Sequence, residues 1–167
     1  MVMSAIEQLL RDVNWSNLDF LIIDMPPGTG DAQLTLSQRV QLSGAIIVST
    51  PQDLSLIDAR KGLNMFKKVN VPILGIIENM SYFECHNCNT KHEIFGNGGA
   101  KAEAEKLGAT FLNEIPLDIS LRTTSDEGNP IVYKEPNNSI SKKYMEIGSK
   151  ILNQIQTNRK QPPQIIQ

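Results

Sequence analysis

Residues 18–31 read LDFLIIDMPPGTGD, a stretch in which a strand pattern stops abruptly on an acid. Residues 18–24 are almost continuously apolar, which predicts a strand buried on both faces. The two prolines and the glycine-threonine-glycine turn that follow prevent the strand from continuing. An ionised Asp24 at the end of a buried strand is costly unless it has a partner. The stretch therefore predicts a buried strand and a carboxylate that requires a partner at its end.

The residues of this turn alone allow two interpretations. In the first, Asp24 acts on a magnesium ion, as acids at strand ends do in nucleotide-binding α/β domains. The backbone around Gly28, Thr29 and Gly30 then approaches a terminal phosphate, since glycine tolerates the dihedral angles and the close approach that this requires. In the second, the segment is a tight turn whose acid caps a helix. The acid and the glycines do not decide between the two.

Strand and helix patterns alternate along the rest of the chain, which predicts right-handed βαβ units and an α/β fold: a mostly parallel sheet flanked by helices. The predicted strands are 18–24, 45–50, 72–80 and 110–117, and the predicted helices are 4–13, 31–43, 54–69, 98–107 and a last amphipathic helix that contains Ile140, Tyr144, Ile147, Ile151 and Ile155. A short helix or turn is expected near 118–125 and an extended piece at 130–133. We expect one domain over 1–156, with a polar cysteine-bearing excursion at 81–97 and a flexible tail at 157–167.

Four predicted strands end on polar or loop residues. Ligands of parallel α/β sheets bind at the carboxyl ends of the strands. Asp24, Thr50, Asn79 and the Pro116–Asp118 segment all fall at such ends. The sequence thus predicts a ligand site at this edge of the sheet.

The composition excludes several classes of protein. With 40% hydrophobic and 20% charged residues the chain is predicted to be globular, and a net charge of −2 argues against binding nucleic acid by bulk electrostatics. The uninterrupted apolar runs, such as FLII and AIIV, are far shorter than the ~20 residues that a bilayer requires. Nothing at the start resembles a signal peptide. We therefore expect a cytoplasmic protein with neither a nucleic-acid nor a membrane partner.

The polar excursion contains a cysteine pair in the string ECHNCNTKHE (84–93). Cys85 and Cys88 form a C-x-x-C, and two thiolates at this spacing can bind one metal or the same cluster. A closed tetrahedral site needs four ligands, and the chain has two cysteines. His86 and His92 could complete a zinc site. A thioredoxin-like role is disfavoured because redox pairs usually open a helix directly after a strand, and this pair is predicted in a loop.

Three strings, DMPPGTGDAQLTLSQ (24–38), IIVSTPQDLSLIDARKGLNMFKKVNVPILGIIENMSYFECHNC (46–88) and HEIFGNGGA (92–100), closely resemble the Mrp/ApbC family. These proteins are deviant P-loop ATPases, related to MinD and to nitrogenase iron protein, that carry iron–sulfur clusters. The resemblance runs from about Met3 to the last helix. It implies that DMPPGTGD is the switch II and Walker B region, with Asp24 at the magnesium site and Gly28, Thr29 and Gly30 at the γ-phosphate.

The resemblance also implies roles for residues at the other strand ends. Asn79 matches the position that reads the adenine ring, and Pro116 and Asp118 match the loop on the other side of the base. Each has a simpler interpretation: Asn79 could cap its strand, and Pro116 could end one.

For the cysteines, the resemblance implies that Cys85 and Cys88 of two subunits hold a bridging [4Fe–4S] cluster in a homodimer, which transfers the cluster to apoproteins. ATP, Mg²⁺ and hydrolysis would gate transfer in the intact family member. His92 also matches the family pattern, but we interpret it as a loop-packing residue, and His86 as exposed and incidental.

The phosphate loop of the family, G-x-x-x-x-G-K-S/T, has no match in this chain. The most similar string, GNGGAKAEAE (96–105), has no Ser or Thr after its lysine, and its glycines are better explained by a turn. Because the loop precedes the matched region in the family, we interpret the chain as the C-terminal part of a longer protein. Without the loop we expect no hydrolysis by the isolated chain, and we expect exposed sheet edges that favour association.

Two alternatives to the cluster carrier remain. A MinD/ParA-type positioning ATPase would share the switch residues but would use a terminal amphipathic helix or a basic surface, and the chain ends in NRKQPPQIIQ with little basic character. An inactive remnant would bind zinc at the cysteine pair and would have a dead nucleotide site.

Overall fold

The computed structural model describes residues 8–10, 12–25, 30–85 and 87–159. Residues 8–10 are helical, within the predicted first helix. The other elements, in chain order, are α1 (Asp31–Arg39), β1 (Ala45–Ser49), α2 (Asp53–Lys68), β2 (Ile73–Glu78), β3 (Phe83–Glu84), β4 (Lys91–His92), α3 (Gly99–Leu107), β5 (Phe111–Glu114), α4 (Ile119–Asp126), α5 (Ile131–Lys134) and α6 (Ser139–Arg159).

The described strands form a three-stranded parallel sheet in the order β1-β2-β5, which confirms the predicted α/β class. The register places Ser49 and Glu114 on either side of Glu78, so all three strands end at one level. β3 and β4 form a separate antiparallel hairpin within the cysteine-bearing excursion. A parallel sheet needs a crossover between neighbouring strands, and α2 and α3 supply these crossovers.

Alternate side chains of a strand point to opposite faces of a sheet, and helices pack on both faces of this one, although one face of β1 is exposed. On one face, α2 and α3 pack against Ile47 and Ile76, with Leu63 at the centre of the cluster. On the other face, α6 packs Ile147 against Leu112. Within the described ranges, no helix is both long and apolar enough to cross a membrane.

The predicted strand 18–24 is wrong. These residues belong to no strand, and Ile22 is 89% exposed. Continuous apolar character predicts burial, but a buried strand also needs a hydrogen-bonded neighbour and a packing layer on each side. The described part of the chain provides these for β2 and not for residues 18–24. β1 also lacks a packing layer on one of its faces. One face packs on helices, but Val48 on the other face is 58% exposed.

The extended piece predicted at 130–133 is also wrong, since Ile131–Lys134 form the short helix α5. Pro130 precedes this helix and accepts hydrogen bonds from the N–H groups of Tyr133 and Lys134. The fixed φ of proline suits the start of a helix as well as it suits extended chain. Two helix ends also differ from expectation: α1 ends at Arg39, and α6 continues to Arg159.

We predict that Leu63→Ala lowers the free energy of unfolding by about 2–5 kcal/mol, because it removes a fully buried side chain and leaves a cavity. Urea denaturation measures the effect. The matched control is Leu54→Ala on the same helix, where the side chain is 76% exposed; we expect a change within about 0.5 kcal/mol. Equal effects of the two variants would contradict the described core.

Candidate functional site

A buried carboxylate organises the carboxyl edge of the sheet. Glu78 is the last residue of β2 and is 1% exposed. Its carboxylate accepts hydrogen bonds from Ser81 Oγ at 2.5 Å, from Gly98 N at 3.3 Å and from Ala100 N at 2.7 Å. The last two donors lie at the start of α3, where the helix dipole favours a negative charge. Glu78 therefore joins the beginning of the cysteine-bearing excursion to its end.

Sequence reasoning missed Glu78, although a signal was present. An acid that ends a buried strand needs a partner, and Glu78 ends the apolar run ILGIIE just as Asp24 ends the run at 18–24. One partner, Ser81, is near in sequence, but the backbone donors Gly98 and Ala100 lie about twenty residues further on, where no local pattern reveals them.

The glycines of GNGGA shape that turn. Gly98 has a φ of +68°, in the region that favours glycine. A Cβ atom on Gly99 would lie 2.6 Å from the carbonyl oxygen of Pro51, so a side chain there would push α3 away from the loop after β1. The glycines thus serve the turn that returns the chain from the excursion to the sheet, as the sequence predicted.

The start of the excursion continues the ladder of the sheet. Ile115 N donates to Glu78 O at 2.8 Å, Ser81 N donates to Ile115 O at 3.0 Å, and Leu117 N donates to Tyr82 O at 2.7 Å. The chain from 78 to 82 therefore runs directly beside the segment from 115 to 117. The backbone that leads to the cysteines is hydrogen-bonded to the backbone that carries Pro116.

The Tyr82 ring supports the hairpin from the side. Lys91 Nζ lies 4.4 Å from its centroid and Lys143 Nζ of α6 lies 5.7 Å from it. Lys143 also reaches Glu114 at 3.5 Å. Burial raises the pKa of Tyr82, and the nearby Lys91 charge opposes this shift. These contacts orient the hairpin relative to β5 and α6.

The hairpin places both cysteines in one tight turn. Phe83 pairs with His92, Glu84 pairs with Lys91, and the turn between the strands contains the thiols. Cys85 N donates to Thr90 O at 3.0 Å, and Asn89 N donates to Cys85 O at 2.7 Å. The C-x-x-C thus occupies a hairpin tip and not a helix start, which argues against a thioredoxin-like role.

The two thiols differ in environment. Cys85 is half-buried and Cys88 is exposed, and neither is in a disulfide. Cys88 Sγ lies 3.2 Å from Thr90 Oγ1, in hydrogen-bond contact. Hydrogen bonds donated to the sulfur by the Thr90 hydroxyl and by the Thr90 backbone, more than the adjacent Cys85 thiol, favour the thiolate and lower the pKa of Cys88 below its usual value. Because the thiolate is the form that binds metals, the turn favours the ligand state of Cys88.

The described chain supplies two thiol ligands and no third one. Among the described residues, no three His, Cys, Asp or Glu side chains lie close enough together to hold a metal ion. The His92 ring has its centroid 6.4 Å from that of Phe83, which supports its interpretation as a packing residue. His86 lies outside the described residues. The described residues therefore offer two sulfur donors at the hairpin tip.

Of the predicted nucleotide-site residues, three lie at this edge. Asn79 follows β2, is half-buried and donates its N–H to Ser49 O at 2.7 Å. Pro116 is half-buried beside it on the neighbouring segment. Asp118 caps α4, accepting from Ser120 N at 2.7 Å and Leu121 N at 3.2 Å. As the cap of α4, Asp118 has a structural function, and its role beside the adenine base stays a prediction.

The structure describes only part of the opening stretch. Asp24 is exposed. Gly28 and Thr29 lie outside the described residues, and Gly30 immediately precedes α1, where its carbonyl accepts from Leu34 N at 3.3 Å. The magnesium and phosphate roles of this stretch stay predictions.

Comparison with solved structures identifies the class of fold. The chain matches a nucleotide-binding protein in complex with ADP from Archaeoglobus fulgidus with a TM-score of 0.71 and 42% identity, covering 82% of this chain and 55% of that one. It matches the cell division ATPase MinD of Pyrococcus furiosus with a TM-score of 0.61 at 23% identity, covering 83% of this chain and 54% of that one. The second likeness shows the fold alone. The fold is that of the P-loop NTPases.

Sequence comparison identifies the family. The model described as "ParA: NUBPL iron-transfer P-loop NTPase" matches residues 1–152, and the chain belongs to this family. It is 54% identical over 93% of its length to the iron-sulfur cluster transfer protein NUBPL of Dictyostelium discoideum, covering 48% of that protein. It is 47% identical over 93% of its length to the iron-sulfur cluster carrier protein of Escherichia coli K12, covering 42% of that protein. The expected resemblance is confirmed, and the chain spans about half the length of these curated relatives.

We predict that Glu78→Ala destabilises the protein by roughly 2–4 kcal/mol, because it leaves buried backbone N–H groups of the α3 turn without an acceptor. Urea denaturation measures the loss, and amide hydrogen exchange should show lost protection at Ala100. The control is Glu105→Ala on the exposed side of α3, which we expect to be neutral. Unchanged exchange at Ala100 in the Glu78 variant would contradict the role of the carboxylate.

Proposed function

We propose that this chain is the cluster-binding part of an iron–sulfur cluster carrier in which two copies hold one bridging [4Fe–4S] cluster. The observation that carries the proposal is the half-complete ligand set: Cys85 and Cys88 at a hairpin tip, with no third ligand near them in the described chain. A [4Fe–4S] cluster takes four thiolates. A two-fold axis through the tip of the hairpin supplies two from each copy.

The cluster is cargo in this proposal, and its recipients are apoproteins with cysteine ligands of their own. The names of the relatives, cluster transfer protein and cluster carrier protein, support transfer as the activity. The exposure of Cys88 supports it as well, because a recipient thiolate must reach the iron as each carrier thiolate leaves.

We propose that ATP and Mg²⁺ bind at the carboxyl edge of the sheet in the intact family member. Asp24 would lie at the magnesium site. Gly28, Thr29 and Gly30 would lie at the γ-phosphate, and the adenine base would be bound by Asn79, Pro116 and Asp118. The ADP complex of the Archaeoglobus fulgidus relative supports a nucleotide at this fold. The ladder between Tyr82 and Leu117 would connect the base-lining segment to the cysteine hairpin.

The compartment is a separate question that fractionation can answer. The sequence led us to expect the cytoplasm, and the bacterial relatives are named carriers without a compartment. A relative from Arabidopsis thaliana, 49% identical, is named a mitochondrial protein required for NADH dehydrogenase. We propose a cytoplasmic carrier; co-purification of the native protein with mitochondria would overturn this part.

We predict that anaerobic reconstitution with iron and sulfide gives a brown protein with about four iron atoms per dimer. Cys85→Ser and Cys88→Ser should each lose the cluster, because each removes two of the four ligands from the dimer. Iron and sulfide analysis, absorption spectra and size-exclusion chromatography measure the outcome. Because the cysteines lie at an exposed hairpin tip, circular dichroism should show both variants folded.

His92→Ala is the control that separates this function from an inactive zinc-binding remnant. The variant should keep its cluster, since His92 packs against Phe83 and contributes no ligand. Colourless protein with one zinc per monomer, lost in the His92 variant, would favour the remnant. A monomer that holds a complete cubane would overturn the shared site.

A further inference from the structure

Thr90 contacts both cysteines of the pair. Its carbonyl oxygen accepts a hydrogen bond from Cys85 N at 3.0 Å, and its hydroxyl lies 3.2 Å from Cys88 Sγ. In the described part of the chain, this contact with sulfur is the one hydrogen bond that the hydroxyl makes. Thr90 thus fixes the backbone of one cysteine and the side chain of the other.

The geometry of the turn holds the hydroxyl at the sulfur. Asn89 has a φ of +54° and its N–H bonds to Cys85 O, which folds the chain back so that Thr90 lies against the pair. On the other side, Lys91 pairs with Glu84 in the hairpin. The backbone of the turn therefore places Thr90 beside the pair, within reach of its short side chain.

The direction of this hydrogen bond must reverse when Cys88 binds a metal. A thiol can donate to the Thr90 hydroxyl, but a metal-bound thiolate has no proton to donate. A threonine hydroxyl can act as donor or acceptor, so it can turn and donate to the sulfur instead. Hydrogen bonds to ligating sulfur are among the means by which proteins tune thiolate metal sites.

We propose that Thr90 is a positioning residue that donates a hydrogen bond to the metal-bound sulfur of Cys88 and thereby sets how strongly this ligand binds. The two thiolates of a chain are then chemically unequal: the half-buried Cys85 has no hydroxyl partner in the described chain, whereas Cys88 does. This inference rests on the proposed function, in that it takes Cys85 and Cys88 as ligands of a metal cargo.

Cobalt(II) titration of the metal-free protein tests the proposal, because Co²⁺ bound to thiolate gives a sulfur-to-metal charge-transfer band that responds to hydrogen bonding at the sulfur. Thr90→Val removes the hydroxyl and keeps the shape of the side chain. We expect it to weaken cobalt binding by about tenfold, as is common for lost outer-shell partners. We also expect the charge-transfer band to move to lower energy, because the sulfur loses a hydrogen bond that stabilises its lone pairs.

Two further variants separate this role from a merely structural one. Thr90→Ser keeps the hydroxyl and should restore both the affinity and the band position. Thr110→Val makes the same chemical change at an exposed threonine with no side-chain hydrogen bond in the described chain, and it should behave like the wild type. A Thr90→Val protein with wild-type band and affinity, or a Thr90→Ser protein that restores neither, would overturn the proposal.

The cobalt measurement is independent of the cluster. If the band shifts as expected while iron and sulfide are never taken up, the proposed function fails and the role of Thr90 stands. If the cluster forms but the band of Thr90→Val is unchanged, the role of Thr90 fails and the proposed function stands. A wild-type protein without any cobalt–thiolate band would overturn the role of Thr90, and reconstitution decides the function separately.

Discussion

The buried carboxylate of Glu78 is the interaction on which the functional edge of this protein depends. Burying a charge in a sheet is unfavourable unless donors surround it, and here the donors come from both ends of the cysteine-bearing excursion. Because Ser81 begins the excursion and Ala100 lies in the first turn of α3, the carboxylate closes an excursion of about twenty residues at its base. The hairpin tip is polar and exposed, whereas its base is held by buried hydrogen bonds to Glu78.

Backbone hydrogen bonds to the segment after β5 also hold the base of the excursion on the sheet. Its first residues run beside the segment after β5, joined by the hydrogen bonds of Ser81 and Leu117. A hairpin mounted on a sheet ladder moves with the strands that it extends. This rigidity suits a site shared by two copies, because thiolates can meet across a symmetry axis at metal–ligand distances only if each chain holds its own pair in place.

The proposed sharing of the site between two copies would explain why the described residues offer only two thiol ligands at the hairpin tip. Two thiols bind a metal weakly, which is a disadvantage for a structural site and an advantage for a carrier. In the proposed assembly the cargo is stable while two copies are together, and any rearrangement of the dimer halves the ligand number. In this proposal, the association of the two copies would control whether the cluster is held or released.

Much of the architecture was readable from the sequence, because the signals are local. The apolar runs at 45–50 and 72–80 and the helix periodicity of 54–69 predicted elements that the structure contains, and the structure places both thiols of the C-x-x-C in a loop, as predicted. The family resemblance and the polar residues at the strand ends both predicted a ligand site at the carboxyl edge of the sheet. Local signals fail where a residue has to be satisfied by a distant one: the run at 18–24 has the composition of a buried strand, but burial depends on neighbours that the pattern does not contain.

By itself the sequence determined the α/β class, most of the strands and helices and the spacing of the two thiols, since side-chain period and residue chemistry are properties of short segments. Tertiary structure alone decided that Glu78 closes the excursion, that α5 is helical where extended chain was expected, and that Thr90 lies against both cysteines. Each of these depends on atoms brought together by the fold. Hydrogen bonds act over about 3 Å in space, whatever the distance along the chain.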